Sequence, residues 1–110
     1  MALPLNVFKT VTNVVATSNT EIYTCPVGYS GVVILAQCAN ISSSSTHTVT
    51  FIHRRSATDT EIVKNFPVPP NDSVSFLDGR LGLESGDKLV ISGGSATDLK
   101  FTGSILETLK

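Results

Sequence analysis

The sequence predicts an all-β protein, a single-domain antiparallel β-sandwich of jelly-roll type with eight or nine strands. Three observations carry that prediction. No stretch holds a 3.6-residue apolar period over a dozen residues. Short runs of alternating apolar and polar residues recur with turn residues between them. One run, Gly31-Val-Val-Ile-Leu-Ala-Gln-Cys-Ala-Asn40, is almost wholly apolar and β-branched, which suits a central strand but is far too short to cross a bilayer as a helix.

Residues 6–16 open with alternation: Val7, Val11 and Val15 fall on one face, Phe8 and Val14 on the other. Thr17 to Thr20 turns the chain into a short strand over 20–25, in which Ile22 and Tyr23 point to opposite faces. Pro26 removes a backbone donor and Gly28 permits positive φ, so residues 26–30 reverse the chain into the apolar run. That run is expected to be buried on both faces, with Gln37 seeking a partner in the core or across a subunit boundary.

Ser42 to Ser45 lie in a polar loop. A strand over 47–55 follows, with His47, Val49, Phe51 and His53 on one face and Thr48, Thr50, Ile52 and Arg54 on the other. A turn at 56–59 leads to a strand over 60–66. Pro67, Pro69 and Pro70 stiffen the next connection, which cannot join a central ladder. Strands over 73–77, 80–84 and 88–92 are separated by turns at Asp78-Gly79 and Ser85-Gly86-Asp87. Val74 and Phe76 point inward. The loop Gly93 to Asp98 precedes a last strand over 99–109. The strands use all of residues 1–110, leaving no linker or second lobe.

Eight Lys and Arg stand against nine Asp and Glu, a net charge of −1 with no block of like sign. Neither a nucleic-acid footprint nor a polybasic membrane patch is present, so no nucleic-acid and no membrane partner is expected. Charged residues make up only 15 % of the chain, fewer than a free-standing domain uses to keep its surface solvated. This deficit predicts a homo-oligomer or a component of a larger assembly.

Catalytic and metal chemistry is not expected. His47 and His53 share a strand face but stand roughly 20 Å apart along an extended chain, too far to share a metal ion. No serine occupies a Gly-x-Ser-x-Gly elbow, no phosphate-binding glycine loop precedes a helix, and no carboxylate pair fits sugar hydrolysis. The chain is therefore read as a non-enzyme without cofactors. Cys25 and Cys38 lack metal-ligand spacing and fall in apolar strand segments, where free buried thiols are usual. No basic region followed by an apolar core opens the chain, so no secretory signal is expected and the cysteines are expected to stay reduced. Arg54 and Arg55 end a strand with side chains on opposite faces. One of them is a candidate to pair with a carboxylate of a neighbouring subunit, such as Asp59 or Glu61.

Thr20-Glu21-Ile22-Tyr23-Thr24-Cys25-Pro26-Val27-Gly28, Val68-Pro69-Pro70-Asn71-Asp72-Ser73-Val74, Leu81 to Ile91 and Ser104-Ile105-Leu106-Glu107 together resemble small virion structural proteins of tailed bacteriophages, especially phages of marine and cyanobacterial hosts. The resemblance implies a capsid decoration or cement protein, or a neck or tail accessory subunit, made in the bacterial cytoplasm and located in the virion with other virion proteins as partners. Leu83 to Leu89 with Phe101-Thr102-Gly103-Ser104-Ile105-Leu106 is also similar to the last two strands of complement-like and tumour-necrosis-factor-like trimers. That likeness implies a homotrimer with Phe101 and Gly103 near its threefold axis. The alternative reading is a lectin-like receptor-binding module of a tail fibre, against which stand loops 40–46 and 93–98, rich in Ser, Thr and Gly and poor in carboxylates and aromatic rings.

Overall fold

The computed structural model describes residues 5–110. They form nine strands: β1 (Asn6–Val14), β2 (Thr20–Thr24), β3 (Tyr29–Asn40), β4 (His47–Arg55), β5 (Thr58–Val68), β6 (Asp72–Ser75), β7 (Leu81–Leu83), β8 (Lys88–Gly93) and β9 (Leu99–Leu109). These build two antiparallel sheets. One has the order β1-β9-β3-β6, with β7 also paired to β3; the other has the order β2-β8-β4-β5. The pairings β1 with β9, β2 with β8, β3 with β6 and β7, and β4 with β5 are nested around the 56–57 turn. That nesting is the jelly-roll arrangement, so the expected fold class is the observed one.

Facing side chains of the two sheets close the core. Phe51 from β4 lies between Phe76 and Phe101, with ring centroids 5.0 and 5.6 Å away. Val33, Leu83, Leu89, Ile91, Leu99 and Ile105 surround this stack and are almost fully buried. Offset stacked rings add to the burial of their own area, and the aromatic triplet ties both sheets together at mid-height.

Local chemistry explains the punctuation. Gly28 and Gly86 adopt φ of 86° and 88°, in the left-handed region that glycine enters without a Cβ penalty, and each closes a turn. Asn71 takes φ 57° and ends the proline-rich connection. β5 runs through Pro67, which an edge strand tolerates because one row of its amides pairs with nothing.

The expectation of burial on both faces of the apolar run is corrected by the burial of β3. Val33, Ala36 and Cys38 are buried, whereas Val32, Leu35 and Gln37 are half-buried and Ile34 is 41 % exposed. In a two-layer sandwich a central strand has another sheet on one side only. A bulge between Val33 and Leu35 shifts the alternation by one residue. Gln37 therefore points outward, opposite Thr102 and Ser75, and not into the core.

Candidate functional site

Residues directly opposite one another in an antiparallel ladder point to the same face, so the registers specify what each sheet presents outward. On the β1-β9-β3 sheet the buried series Leu99, Phe101, Gly103, Ile105 and Glu107 faces the core. The alternate residues face out. Phe8 is opposite Leu106, and Leu106 is opposite Val32. This makes an apolar row across three strands, next to Leu35 and the exposed Ile34. Below it come Thr10 opposite Ser104, and Thr12, Thr102 and Gln37 side by side; Val14, Lys100 and Ala39 complete the face. Lys100 is the one ionisable residue in these outward rows. Phe8 is 75 % exposed and Val14 50 %.

The other sheet turns an unlike face to solvent. Arg54 donates from Nε and Nη2 to both carboxylate oxygens of Asp59, at 2.6 and 3.0 Å, and from Nη1 to Glu21 at 3.2 Å. Lys88 reaches the same Glu21 at 3.2 Å. Asp59 is held below its ordinary range mainly by the Arg54 guanidinium, and Glu21 mainly by Lys88. Val90 and Ile52 share this outward side, yet both are buried. Long charged side chains characteristically lay their aliphatic stems over apolar surface of this kind. Such a charged, self-satisfied face suits water.

The narrow end between the sheets holds the buried ionisable groups. Asp87, only 2 % exposed, accepts hydrogen bonds from Arg55 Nε and Nη2 at 2.9 and 2.7 Å and from the Glu84 amide at 2.9 Å; His53 Nε2 lies 3.0 Å away. The Arg55 guanidinium is the largest influence holding its carboxyl well below the usual carboxylate range. Glu107 accepts a hydrogen bond from the Tyr23 hydroxyl and sits 3.3 Å from Lys9 Nζ. Burial is the main cause pushing the Tyr23 phenol and the Cys25 thiol upward, and the Glu107 charge adds to both. Each of these carboxylates has a donor within the chain, so they brace the sandwich end.

Of the four residues singled out as candidate interface positions, the two arginines stay at the surface in pairs within the chain, and Phe101 and Gly103 lie in the core. Arg54 pairs with Asp59 of its own chain, and Arg55 with Asp87 and Glu84. The tight turn at residues 56–57 pairs Arg55 with Thr58 and so brings Asp59 opposite Arg54, where the sequence predicts a longer turn that includes Asp59. Phe101 is 1 % exposed within the aromatic stack, and a Cβ on Gly103 would come 2.9 Å from the Phe101 ring and 3.3 Å from the Leu35 carbonyl oxygen. Both lie inside the sandwich because β9 is covered by the second sheet along its whole inner side. The threefold expectation loses these residues with them. His47 pairs with Asp98 at 3.1 Å and His53 with Asp87, at opposite ends of β4, and among the described residues no group of three or more His, Cys, Asp or Glu could hold a metal ion.

Two shallow depressions mark the surface. One of about 330 Å³ is lined by Ala39, Asn40, Ile41, Asn71, Asp72 and Ser73, the other, about 320 Å³, by Thr12, Asn13, Val14, Lys100, Phe101 and Thr102. Each has one ionisable side chain on its lining. Cys25 and Cys38 are free and completely buried. Cys38 lies seven positions along β3 from Gly31, the residue that abuts the Cys25 sulfur, so the two thiols stand roughly 20 Å apart and cannot bond within the chain.

No family model matches the chain. No curated protein matches it either. Among solved structures it is similar to a protein of Bacillus endospore appendages, described as a novel family of disulfide-linked pili. The TM-score is 0.54 at 18 % identity, over 96 % of this chain and 88 % of that one. At this identity the likeness is one of fold.

Proposed function

We propose that the protein is a non-enzymatic structural subunit that assembles with copies of itself, and that its setting is a phage particle, as a capsid decoration or cement protein or a neck or tail accessory subunit. The observation that carries the assembly reading is the contrast between the two outer faces. One is ion-paired and suited to water; the other has an apolar row and a field of Thr, Ser and Gln, with Lys100 the one ionisable residue among the described rows from Phe8 to Val14. Exposed apolar surface of this continuity favours a protein partner. The fold likeness to a protein of appendage pili supports assembly from repeated copies. Modest contacts of this type become strong when many subunits engage together.

The virion setting rests on the sequence resemblance, and a filament subunit is the second reading, favoured by the appendage likeness. With both cysteines buried, a disulfide between folded copies is not part of either reading. Mass spectrometry of purified particles tests the setting: many copies per particle are expected. Filaments grown by the purified chain alone, with none in particles, would favour the second reading. Glycan binding by the isolated protein would overturn both in favour of a receptor-binding module.

A further inference from the structure

The jelly roll leaves four strand edges, and three are blocked. β2 has five residues and a register shift. β5 carries two shifts, Pro67, and Asn65 at φ 49°. The edge opposite β1 is split between β6 and β7, of four and three residues. These are the usual devices that stop sheets from pairing edge to edge.

β1 has no register shift, no proline and no break. Its nine residues keep one register against β9, with no glycine. The amide of Leu109 donates to the Leu5 carbonyl and that of Val15 to the Leu99 carbonyl, both in the same register. Hydrogen-bonded positions alternate in an antiparallel pair, so odd-numbered residues of β1 bond to β9. Phe8, Thr10, Thr12 and Val14 aim their N–H and C=O groups at the open side. The single charge on the strand, Lys9, is 46 % exposed and is paired with Glu107 at 3.3 Å.

We propose that two copies of this chain pair antiparallel through β1, about a twofold axis at Val11. The occupant is a second copy because the strand is complementary to itself in this register. Centred on Val11, Phe8 faces Val14, Thr10 faces Thr12, and Val11 faces its own counterpart. The two exposed apolar side chains of β1 thus cover each other, and threonines pair with threonines, both favourable cross-strand combinations. Lys9 of the partner subunit comes opposite Asn13, whose buried Oδ1 has no hydrogen-bond partner among the described residues. Centring on Lys9 sets two ammonium groups against each other; centring on Thr10 sets Phe8 against Thr12 and Val14 against Asn6. The Val11 register adds about eight backbone hydrogen bonds and joins the two charge-poor outer faces into one. This pairing deepens the assembly reading above and rests on it.

The test uses the full chain with two kinds of variant. Thr10→Pro removes an outward N–H and leaves the β9 ladder intact. Analytical ultracentrifugation should show dimerisation weakened at least about tenfold, with an unchanged circular-dichroism spectrum. For Val11→Cys under diamide, the new thiols face each other across the axis while the native thiols stay buried. The cross-linked dimer should dominate, whereas Asn13→Cys, with its thiols roughly 13 Å apart in this register, should stay uncoupled. Equal cross-linking of the two cysteine variants, or folded Thr10→Pro associating like the wild type, would overturn the pairing. If Thr10→Pro does not fold, the two cysteine variants decide. Assembly that persists in either overturning case leaves the assembly reading standing, so the two fail separately.

Discussion

Gly103 shows how one missing side chain can be read in two ways. Sequence resemblance places it at a subunit axis; packing places it beneath the Phe101 ring, where an added methyl has nowhere to go. Gly103→Ala should cost about 1–3 kcal/mol by urea denaturation, the usual penalty for overpacking, without changing oligomeric mass. Asp87 offers a second residue-scale test. Its folded pKa lies below its unfolded one, so the unfolded chain binds the extra proton and stability rises with pH across that interval. The contribution is present above about pH 4 and is lost as pH falls through the lower, folded value. Thermal melts of Asp87→Asn between pH 2 and 6 should therefore be flatter with pH than those of the wild type. The cysteines complete this scale: burial raises the Cys38 thiol to about 11. Ellman's reagent should leave both thiols unreacted until the protein unfolds.

Strands differed in how plainly their residues declared them. β4 and β9 coincide with their expected ranges because each is strictly alternating and is opened by a polar loop. β3 starts two residues early, at Tyr29, since the turn is completed by Gly28 alone. β5 extends through Pro67 and Val68, for its edge position removes the constraint that a proline places on a central strand. The outward apolar row was half visible: Val32, Ile34 and Leu35 gave the appearance of a doubly buried strand, and only pairing with Phe8 and Leu106 shows that they form a surface. The pairing of Arg54 with Asp59 follows from a turn of two residues, 56–57, shorter than the expected turn over 56–59 that leaves Asp59 outside the strand. Hydrogen exchange tests β1 as an element. Amides of Val7, Lys9, Val11 and Asn13 should be protected by β9 at any concentration. Those of Phe8, Thr10 and Thr12 should exchange quickly in dilute protein and slow on association; equal protection of both sets when dilute would contradict the open edge.

At the scale of the molecule, a chain with few charges has placed most of them on one sheet and at one end. Glu21, Arg54, Asp59 and Lys88 satisfy one another toward solvent; Asp87, Arg55, Glu107 and Lys9 lock the narrow end. What remains is a broad face whose central rows carry one charge, Lys100, consistent with the low charge fraction of the whole sequence. Exposed ion pairs contribute little to folding and weaken with salt, so added salt should leave association through this charge-poor face intact. The most direct test places one charge in the centre of that face. Sedimentation velocity would compare the wild type with Ser104→Glu, and with Ser92→Glu on the ion-paired sheet as a control. The account predicts that the wild type and Ser92→Glu form the same large species, while Ser104→Glu sediments as nothing larger than a β1-paired dimer. Equal assembly of Ser104→Glu and the wild type would contradict it.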